Sequence, residues 1–370
     1  MTSVDDKQSC HHTAAARQGC SQHQSSNDSS CHNTQKRDYL LLGSASAVVA
    51  LYLNSAFAEQ STHIFAWYHT LSYTVFDLVN TMWWGVALGI LMLAALTRIP
   101  REFVMSALGT GQGLRSIVRA TGAGVLLDLC NHGILMVAAK LYERGASLGQ
   151  VMAFLVASPW NSFSLTLVLI ALIGLPWTLA FIALSMSIAI VVGLLFDWLC
   201  DHGYLPKNNV TAPVPEKFNF WQEARKQLSS TTFNSSFFLN MAIDGLRESR
   251  MVMRWILFGI VLAGLVRAFV SPEHFGTYFG PTLAGLGLTV LVATIMEVCS
   301  EGSTPIAADL LTRAKAPGNS FAFLMAGVAT DYTEIMVLKD TTRSLKIALF
   351  LPLLTLPQVL VVAWLMNIAA

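Results

Sequence analysis

Residues 115–139 read RSIVRATGAGVLLDLCNHGILMVAA, an apolar stretch long enough to span a bilayer but interrupted near its middle. The interruption is the polar and glycine-containing run LCNHG at residues 129–133. Irregular backbone at membrane depth is tolerated only where protein or a water-filled cavity satisfies its polar groups. The sequence therefore predicts a broken or re-entrant helix here, and the break is itself a candidate site.

The composition indicates a protein that lives in a lipid bilayer. The chain has 370 residues, of which 54% are hydrophobic and only 12% charged, whereas soluble proteins carry roughly 25% charged residues. The balance of 23 basic against 22 acidic residues argues against nucleic acid as a partner, because nucleic-acid binding needs a basic excess. Six cysteines are too few for a disulfide scaffold. The motifs GxxxxGK[ST], GxSxG and HExxH are missing, which argues against an ATPase or hydrolase and for a chain that is not an enzyme.

Apolar stretches of spanning length begin after a polar lead. Residues 1–38 cannot bury enough apolar surface to fold alone and are predicted to be a disordered Cys/His-rich cytoplasmic tail. The other predicted units are a first membrane half at 39–199, an amphipathic cytoplasmic connection at 200–252 and a second membrane half at 253–370. The apolar stretches lie at 39–57, 74–96, 115–139, 149–173, 176–198, 253–270, 281–299, 318–338 and 346–367.

The first stretch raises a question of processing. Residues 56–58 (AFA) resemble a signal-peptide cleavage site, but the 38-residue polar lead is long for the charged region of a signal. An uncleaved first span is therefore favoured. Basic residues prefer the cytoplasmic side of short loops, so Lys36 and Arg37 predict a cytoplasmic N-terminus in a multi-pass protein of the bacterial inner membrane.

The same charge rule conflicts with simple crossings. Arg119 and the basic connection at 200–252 both favour the inside, yet three complete spans would place them on opposite sides. The conflict disappears if residues 115–142 enter the membrane and return to the same side.

An internal repeat supports the broken-helix prediction. Residues 128–161 align without a gap with 297–330, at an offset of 169. Apolar bias alone does not explain matched Cys, Gly and Arg positions, with Asp128 opposite Glu297. The identical non-aliphatic pairs include Cys130/Cys299, Gly133/Gly302, Arg144/Arg313 and Gly149/Gly318.

The number of crossings between the two breaks predicts an inverted repeat. Three predicted spans separate them, so the first broken segment enters from inside and the second from outside. Arg267, Arg313 and Lys315 would then lie at the outer side, against the charge rule. The alternative is nine complete spans with parallel repeats. We therefore predict an all-α membrane protein, a multi-span helical bundle with two internally repeated, inverted halves, each containing a broken or re-entrant helix. Such breaks are typical of secondary transporters.

At these breaks the sequence resembles the predicted-permease family that includes the bacterial organoarsenical efflux permeases. The resemblance covers roughly residues 74–368 and implies a permease fold. The second cysteine of each family motif is replaced here by His132 and Glu301, so the resemblance does not imply arsenical export. The matching motifs are LCNHG at 129–133, GASLG at 145–149, ASPWN at 157–161, EVCSEGSTPIAA at 297–308 and AGVAT at 326–330.

The two breaks hold the candidate cargo ligands. Thiolate and imidazole suit soft or borderline cations, while carboxylates suit harder ones. The plainer alternative is that each cysteine is a small packing residue. The predicted substrate-binding residues are Cys130, Asn131, His132, Cys299, Ser300, Glu301, Thr304 and Asn161.

Acidic residues inside apolar stretches are the stronger signal. Charge in a membrane span is costly and commonly functional, and Asp331 and Glu334 are spaced to share one helix face. Structural pairing with Arg119, Lys140 or Arg313 is the alternative, and Asp77 is a weaker candidate. The predicted proton or cation relay comprises Asp128, Glu297, Asp331 and Glu334.

The tail is rich in potential metal ligands. Cys/His-rich tracts suggest binding of a soft or borderline metal ion such as Zn²⁺, although incidental cysteines in a disordered lead would look the same. No other cofactor is predicted. The candidate ligands are Cys10, His11, His12, Cys20, His23, Cys31 and His32.

The residues favour a secondary permease that exports a small metal, metalloid or organometallic solute by alternating access with proton coupling. The alternatives are a membrane-embedded thiol redox enzyme and a metal-sensing accessory membrane protein. The expected partners are the bilayer and the solute, and a homo-oligomer is left open.

Overall fold

The computed structural model describes residues 39–57, 65–96, 113–126, 131–158, 162–208, 235–296 and 300–369. Every regular element in these ranges is an α-helix, which confirms the predicted all-α class. The helices are α1 (Tyr39–Phe57), α2 (Ala66–Leu96), α3 (Leu114–Leu126), α4 (Asn131–Glu143), α5 (Leu148–Ala157), α6 (Phe163–Ile173), α7 (Leu175–Asp201), α8 (Ser235–Phe269), α9 (Pro272–Phe279), α10 (Leu283–Met296), α11 (Ser300–Thr312), α12 (Pro317–Ala329), α13 (Tyr332–Thr342) and α14 (Leu345–Ala369).

Five of the described segments are long and apolar enough to cross a membrane. A sixth candidate is the end of α8 together with α9, a pair bent by 106°. The five segments are Tyr39–Phe57, Ala66–Leu91, Leu175–Asp201, Pro317–Thr342 and Leu345–Ala369.

Several predicted spans consist of two helices in the structure. The stretch at 115–139 contains α3 and α4, and residues 127–130 between them lie outside the described residues. The stretch at 149–173 contains α5 and α6, and the stretch at 318–338 contains α12 and α13. A polar cap starts α6 and α13, because the side chains of Ser162 and Asp331 accept hydrogen bonds from their first turns.

The helix bounds repeat along the chain at the offset seen in the sequence. Helices α4 and α11 both start and end 169 residues apart, and so do α6 and α13. The starts of α2, α3 and α5 match those of α8, α10 and α12 at the same offset. These coincidences support the internal repeat, which stays a prediction.

The start of α2 lies beside the ends of α8 and α11 at one end of the bundle. The rings of Trp67 in α2 and Phe269 in α8 stack with centroids 5.7 Å apart. Two residues before that phenylalanine, Arg267 Nη2 donates to Asp309 Oδ1 in α11 at 2.6 Å. Helices α8 and α11 therefore end on the side where α2 begins, here called the first end.

Helices α2 and α6 run antiparallel. Gly85 of α2 lies against the backbone of Leu167, and Gly89 lies against Ser164, one turn earlier in α6. Helix α6 therefore runs toward the first end, and Gly174, at a φ of +82°, reverses the chain into α7. This left-handed conformation favours glycine.

Helix α7 returns to the opposite end, where α4 also finishes. Asn208, just beyond α7, donates from Nδ2 to the carbonyl oxygens of Tyr142 at 2.7 Å and Ala146 at 2.9 Å. Helix α4 thus ends opposite the first end, whereas its repeat partner α11 ends at the first end. This arrangement supports the predicted inversion of the two halves.

Opposite directions for α4 and α11 predict that the loops after them lie on opposite sides of the membrane. Lys140 and Lys315 are both exposed and suit single-cysteine substitution. With a membrane-impermeant thiol reagent on intact cells, we expect labelling of Lys315→Cys but not of Lys140→Cys until the membrane is permeabilised. Equal labelling of both positions in intact cells would instead favour parallel repeats.

Three of the helices form a layer of their own. Helices α1, α2 and α8 pack on one another and form a three-helix layer. The main contacts between this layer and the other helices are made by α6, which packs on α2, and α11, which packs on α8.

The same type of hydrogen bond, from a glycine backbone N to a side-chain oxygen of a neighbouring helix, fixes the start of α5 and the start of α12. Gly149 N donates to Asp197 Oδ1 in α7 at 2.8 Å, and Gly318 N donates to Asn367 Oδ1 in α14 at 2.8 Å. A Cβ atom at Gly318 would overlap the carbonyl oxygen of Ala363. Glycine is required here for close approach of the two helices.

We expect Gly318→Ala to lower the free energy of unfolding by about 1–3 kcal/mol, the usual cost of overpacking. The measurement is thermal unfolding of the purified protein in detergent. Gly287→Ala in α10 is the matched control, because a Cβ atom there meets open space. Equal melting temperatures for the two variants would contradict the close approach of α12 and α14.

Candidate functional site

In each half, the break that follows one helix lies beside the end of another helix. In the first half, Ser158 at the end of α5 donates from Oγ to the carbonyl oxygen of Gly124 in α3 at 3.1 Å. In the second half, Thr330 Oγ1 at the end of α12 donates to Thr294 Oγ1 in α10 at 3.2 Å. The break after α5 thus adjoins the end of α3, and the break after α12 adjoins the end of α10.

The helices that start at these breaks pack across the two halves. Helix α6 of the first half packs on α11 of the second, and α13 of the second half packs on α4 of the first. Helices α7 and α14 also contact each other across the halves. The breaks of both halves are therefore connected through the short helices that follow them.

Glu334 is the most unusual polar side chain beside a break. It lies one turn after Thr330, in the first turn of α13, and only 1% of it is exposed. Neither carboxyl oxygen has a hydrogen-bond partner among the residues that the structure describes. Glu334 and Leu338 form the buried side of α13, a helix that packs on α4 and α14.

Asp331, the second predicted relay acid at this break, has a local structural contact. Its Oδ1 accepts hydrogen bonds from the backbone N of Thr333 at 2.7 Å and from Thr333 Oγ1 at 2.6 Å. It is the N-cap of α13 and is partly exposed. Asp331 and Glu334 are close in sequence, but Asp331 is a partly exposed helix cap whereas Glu334 is buried.

The structure describes part of the predicted cargo site. Thr304 is fully buried in α11. Asn131 and His132 begin α4, and Ser300 and Glu301 begin α11, but their side chains lie outside the described residues. The predicted approach of the two break cysteines stays a prediction. The remaining predicted site residues lie outside the described residues: Cys130, Cys299, Asn161, Asp128, Glu297 and, in the tail, Cys10, His11, His12, Cys20, His23, Cys31 and His32.

A charge network near the first end, centred on the buried Asp309, was not predicted from the sequence. Arg267 Nε lies 3.0 Å and 3.1 Å from the two carboxylate oxygens of Asp309, and its Nη2 lies 2.6 Å from Oδ1. The Asp309 side chain is only 1% exposed. Arg267 Nη1 also lies 3.7 Å from Asp77 Oδ2, and Arg313 Nη1 lies 3.6 Å from Asp309 Oδ2. We call Asp77, Arg267, Asp309 and Arg313 the charge network.

The charge network gives a physical reason for two exceptions to the charge rule. Arg267 and Arg313 stand on the side predicted to be outer because nearby acids neutralise them. Arg313 also donates to the carbonyl oxygen of Val270 at 3.4 Å and lies 5.2 Å from the ring centroid of Phe275, on the two sides of the α8–α9 bend. An acid four residues before an arginine in an apolar helix was the signal available for Asp309.

Comparison with known proteins identifies the family of this chain. Residues 66–368 match a protein family described as a predicted permease. The chain belongs to that family. This confirms the resemblance drawn from the motifs at the breaks, and together with the apolar helices it makes the chain a multi-pass membrane protein.

Individual relatives of this predicted-permease family member are distant. A protein of Mycobacterium tuberculosis named as a permease is 23% identical, over 62% of this chain and 59% of its own length. A protein of Streptococcus mutans named as a subunit of a two-component membrane permease complex is also 23% identical, over 62% of this chain and 72% of its own. A UPF0718 protein of Methanocaldococcus jannaschii is 20% identical, over 64% and 78%. The match thus spans less than two thirds of the first relative, and no solved structure matches the chain.

Proposed function

We propose that this chain is a secondary permease of the bacterial inner membrane that exports a small solute by alternating access, coupled to protons. The solute class is a metal, metalloid or organometallic compound. Membership of the predicted-permease family supports transport rather than an enzymatic reaction. The observation that supports proton coupling is the buried carboxyl group of Glu334 beside a helix break, whose oxygens have no hydrogen-bond partner in the part of the chain that the structure describes.

Glu334 suits proton coupling because the free energy of burying its side chain differs greatly between the ionised and the neutral form. An ionised carboxylate without a partner is expensive to bury, whereas the neutral acid is not. A conformational change that admits water to the break would remove this penalty and release the proton. The carboxyl group can therefore take up a proton in one conformation and give it up in the other, and Asp128, Glu297 and Asp331 would extend this relay.

The cargo site is proposed at the two central breaks. Cys130 and Cys299 would supply soft ligands, His132 a borderline ligand and Glu301 a hard one. Asn131, Ser300, Thr304 and Asn161 would add polar contacts. The tail, with seven Cys and His candidates, would bind the same metal or a related one before transport.

The proposal predicts that loss of a break ligand raises retention of the transported solute. Cells lacking other efflux systems, with and without the full chain, would be compared for accumulation of a panel of metal and metalloid salts. We expect Cys130→Ala or Glu301→Gln to reduce export of the responding solute roughly ten-fold or more, as loss of a metal contact does.

Cys200→Ala and Glu143→Gln are the matched controls. Cys200 is a buried free thiol near the end of α7, and Glu143 is exposed and pairs with Lys140. Unchanged accumulation of every solute in both break variants, with the proteins present at normal levels, would refute the assignment of the cargo site.

A second candidate is that the chain is one subunit of a two-component permease. The Streptococcus mutans relative, which bears that name, favours it. Purification of the full chain from its own host in mild detergent would then yield a stoichiometric second membrane protein. Flux in liposomes that contain the purified chain alone would exclude a required partner.

A further inference from the structure

The charge network lies across the boundary between the three-helix layer and α11. Arg267 belongs to α8 of the layer, and Asp309 belongs to α11. Asp77 lies on the layer side, in α2, whereas Arg313 lies just after α11 on the other side of the boundary. Each side of the boundary therefore carries one acid and one base.

This composition allows the two sides to separate without stranding a charge. On separation, Arg267 keeps Asp77, which already lies 3.7 Å away. Asp309 keeps Arg313, which is four residues further along and 3.6 Å away. A buried charge that loses its only partner is strongly destabilising, and a membrane increases this cost. The network therefore provides a replacement partner for each charge on both sides.

The fold does not require the network in order to form the equivalent helix. At the repeat offset of 169, Lys140 occupies the place of Asp309, and Arg144 that of Arg313. Lys140 is 62% exposed and pairs with Glu143 on its own helix α4 at 2.7 Å. Because buried ion pairs add little net stability compared with apolar packing, a role beyond holding α11 in place is needed to explain the network.

We infer that the charge network is a latch that closes and opens the boundary between the three-helix layer and α11 by exchange of partners. The inference rests on the proposed function, because alternating access requires groups of helices to separate at one end at a time. Asp309 stabilises the closed state, in which it holds Arg267 with both oxygens. Asp77 stabilises the open state, in which it is the partner that Arg267 retains. Both acids are positioning residues.

Ile306 is a reporter position for this boundary. Gly302 of α11 lies against Gly259 of α8, and Asp309 of α11 bonds to Arg267 of α8. Ile306 is four residues after the first contact and three before the second, so it shares their helix face. It is buried, and the thiol of Ile306→Cys would react only when α11 separates from α8.

The test is the rate at which a maleimide labels Ile306→Cys in the full chain, purified in lipid nanodiscs and read by mass spectrometry at that peptide. We expect Asp309→Asn to raise the rate roughly ten-fold or more, because a buried side chain loses its charged contact with Arg267. We expect Asp77→Asn to lower the rate roughly five-fold, the population shift that loss of one half-exposed charge contact produces. Asp201→Asn, which removes an exposed pair with Lys207 at 2.7 Å, should leave the rate unchanged.

Opposite signs for the two acids distinguish a latch from a static support. Changes in the same direction, or an unchanged rate in Asp77→Asn, would overturn the inference. If Asp309→Asn does not fold, the slower labelling of Asp77→Asn, whose side chain is half exposed, still decides the question. The labelling needs no cargo, so its failure would leave solute export to be judged separately, and absence of export would not change the labelling result.

Discussion

Glu334→Gln is expected to abolish solute flux driven by a pH gradient while leaving solute exchange across the membrane intact. Glutamine keeps the size of the side chain but cannot carry a proton, so the carrier would cycle only with solute bound. The loss in gradient-driven flux should be roughly 10²-fold or more, the scale on which an essential proton-transfer group acts. The measurement is solute uptake into liposomes with and without an imposed pH gradient, compared with exchange at equal pH.

The control for this variant is Glu143→Gln, which removes an exposed carboxylate from α4, the helix on which α13 packs. Gradient-driven flux should be unaffected there. Retention of full gradient-driven flux in Glu334→Gln would exclude this residue from the relay, and loss of exchange as well would indicate a cargo or packing role.

Stability provides an independent test of the same residue. Burying a polar group without a hydrogen bond costs roughly 1–3 kcal/mol in proteins, so Glu334→Leu is expected to raise the melting temperature in detergent while it stops coupling. If the carboxyl group lowers stability but is needed for flux, its role at this position is functional and not structural. A lower melting temperature in the leucine variant would instead indicate that the carboxyl has a stabilising partner.

The sequence predicted those features that depend on local pattern. The apolar lengths predicted a multi-span α-helical protein. The LCNHG run at 129–133 overlaps residues 127–130, which separate the described helices α3 and α4 and lie outside the described residues, so the interruption there stays a prediction. The family followed from motifs at the same breaks. Each of these signals is carried by neighbouring residues, so none required knowledge of how distant helices pack.

Other features depend on contacts between distant segments and were not accessible in this way. The sequence placed Asp331 and Glu334 on one helix face but could not show that the first caps α13 while the second is buried. Helix α13 packs on α14 and also on α4, some 200 residues away in the chain by the helix bounds, so its burial depends on distant contacts. Likewise, Arg267 and Asp309 are 42 residues apart, and only the shared direction of α8 and α11 brings them together.

Asp309→Leu is expected to be the most destabilising single change in the described part of the second half. It leaves Arg267 with only the longer contact to the half-exposed Asp77 and removes the acid beside Arg313, and removal of one member of a buried ion pair costs about 3–5 kcal/mol. The measurement is thermal or denaturant unfolding of the purified chain in detergent.

The double variant Arg267→Met with Asp309→Leu separates the cost of a stranded charge from the value of the pair. An apolar replacement of both members removes the unpaired charge and fills similar volume, so the double variant should be more stable than Asp309→Leu alone. Arg313 and Asp77 remain, but both are partly exposed and water can solvate them. If the two substitutions were simply additive, Arg267 and Asp309 would not be energetically coupled, and a latch built on their contact would have no physical basis.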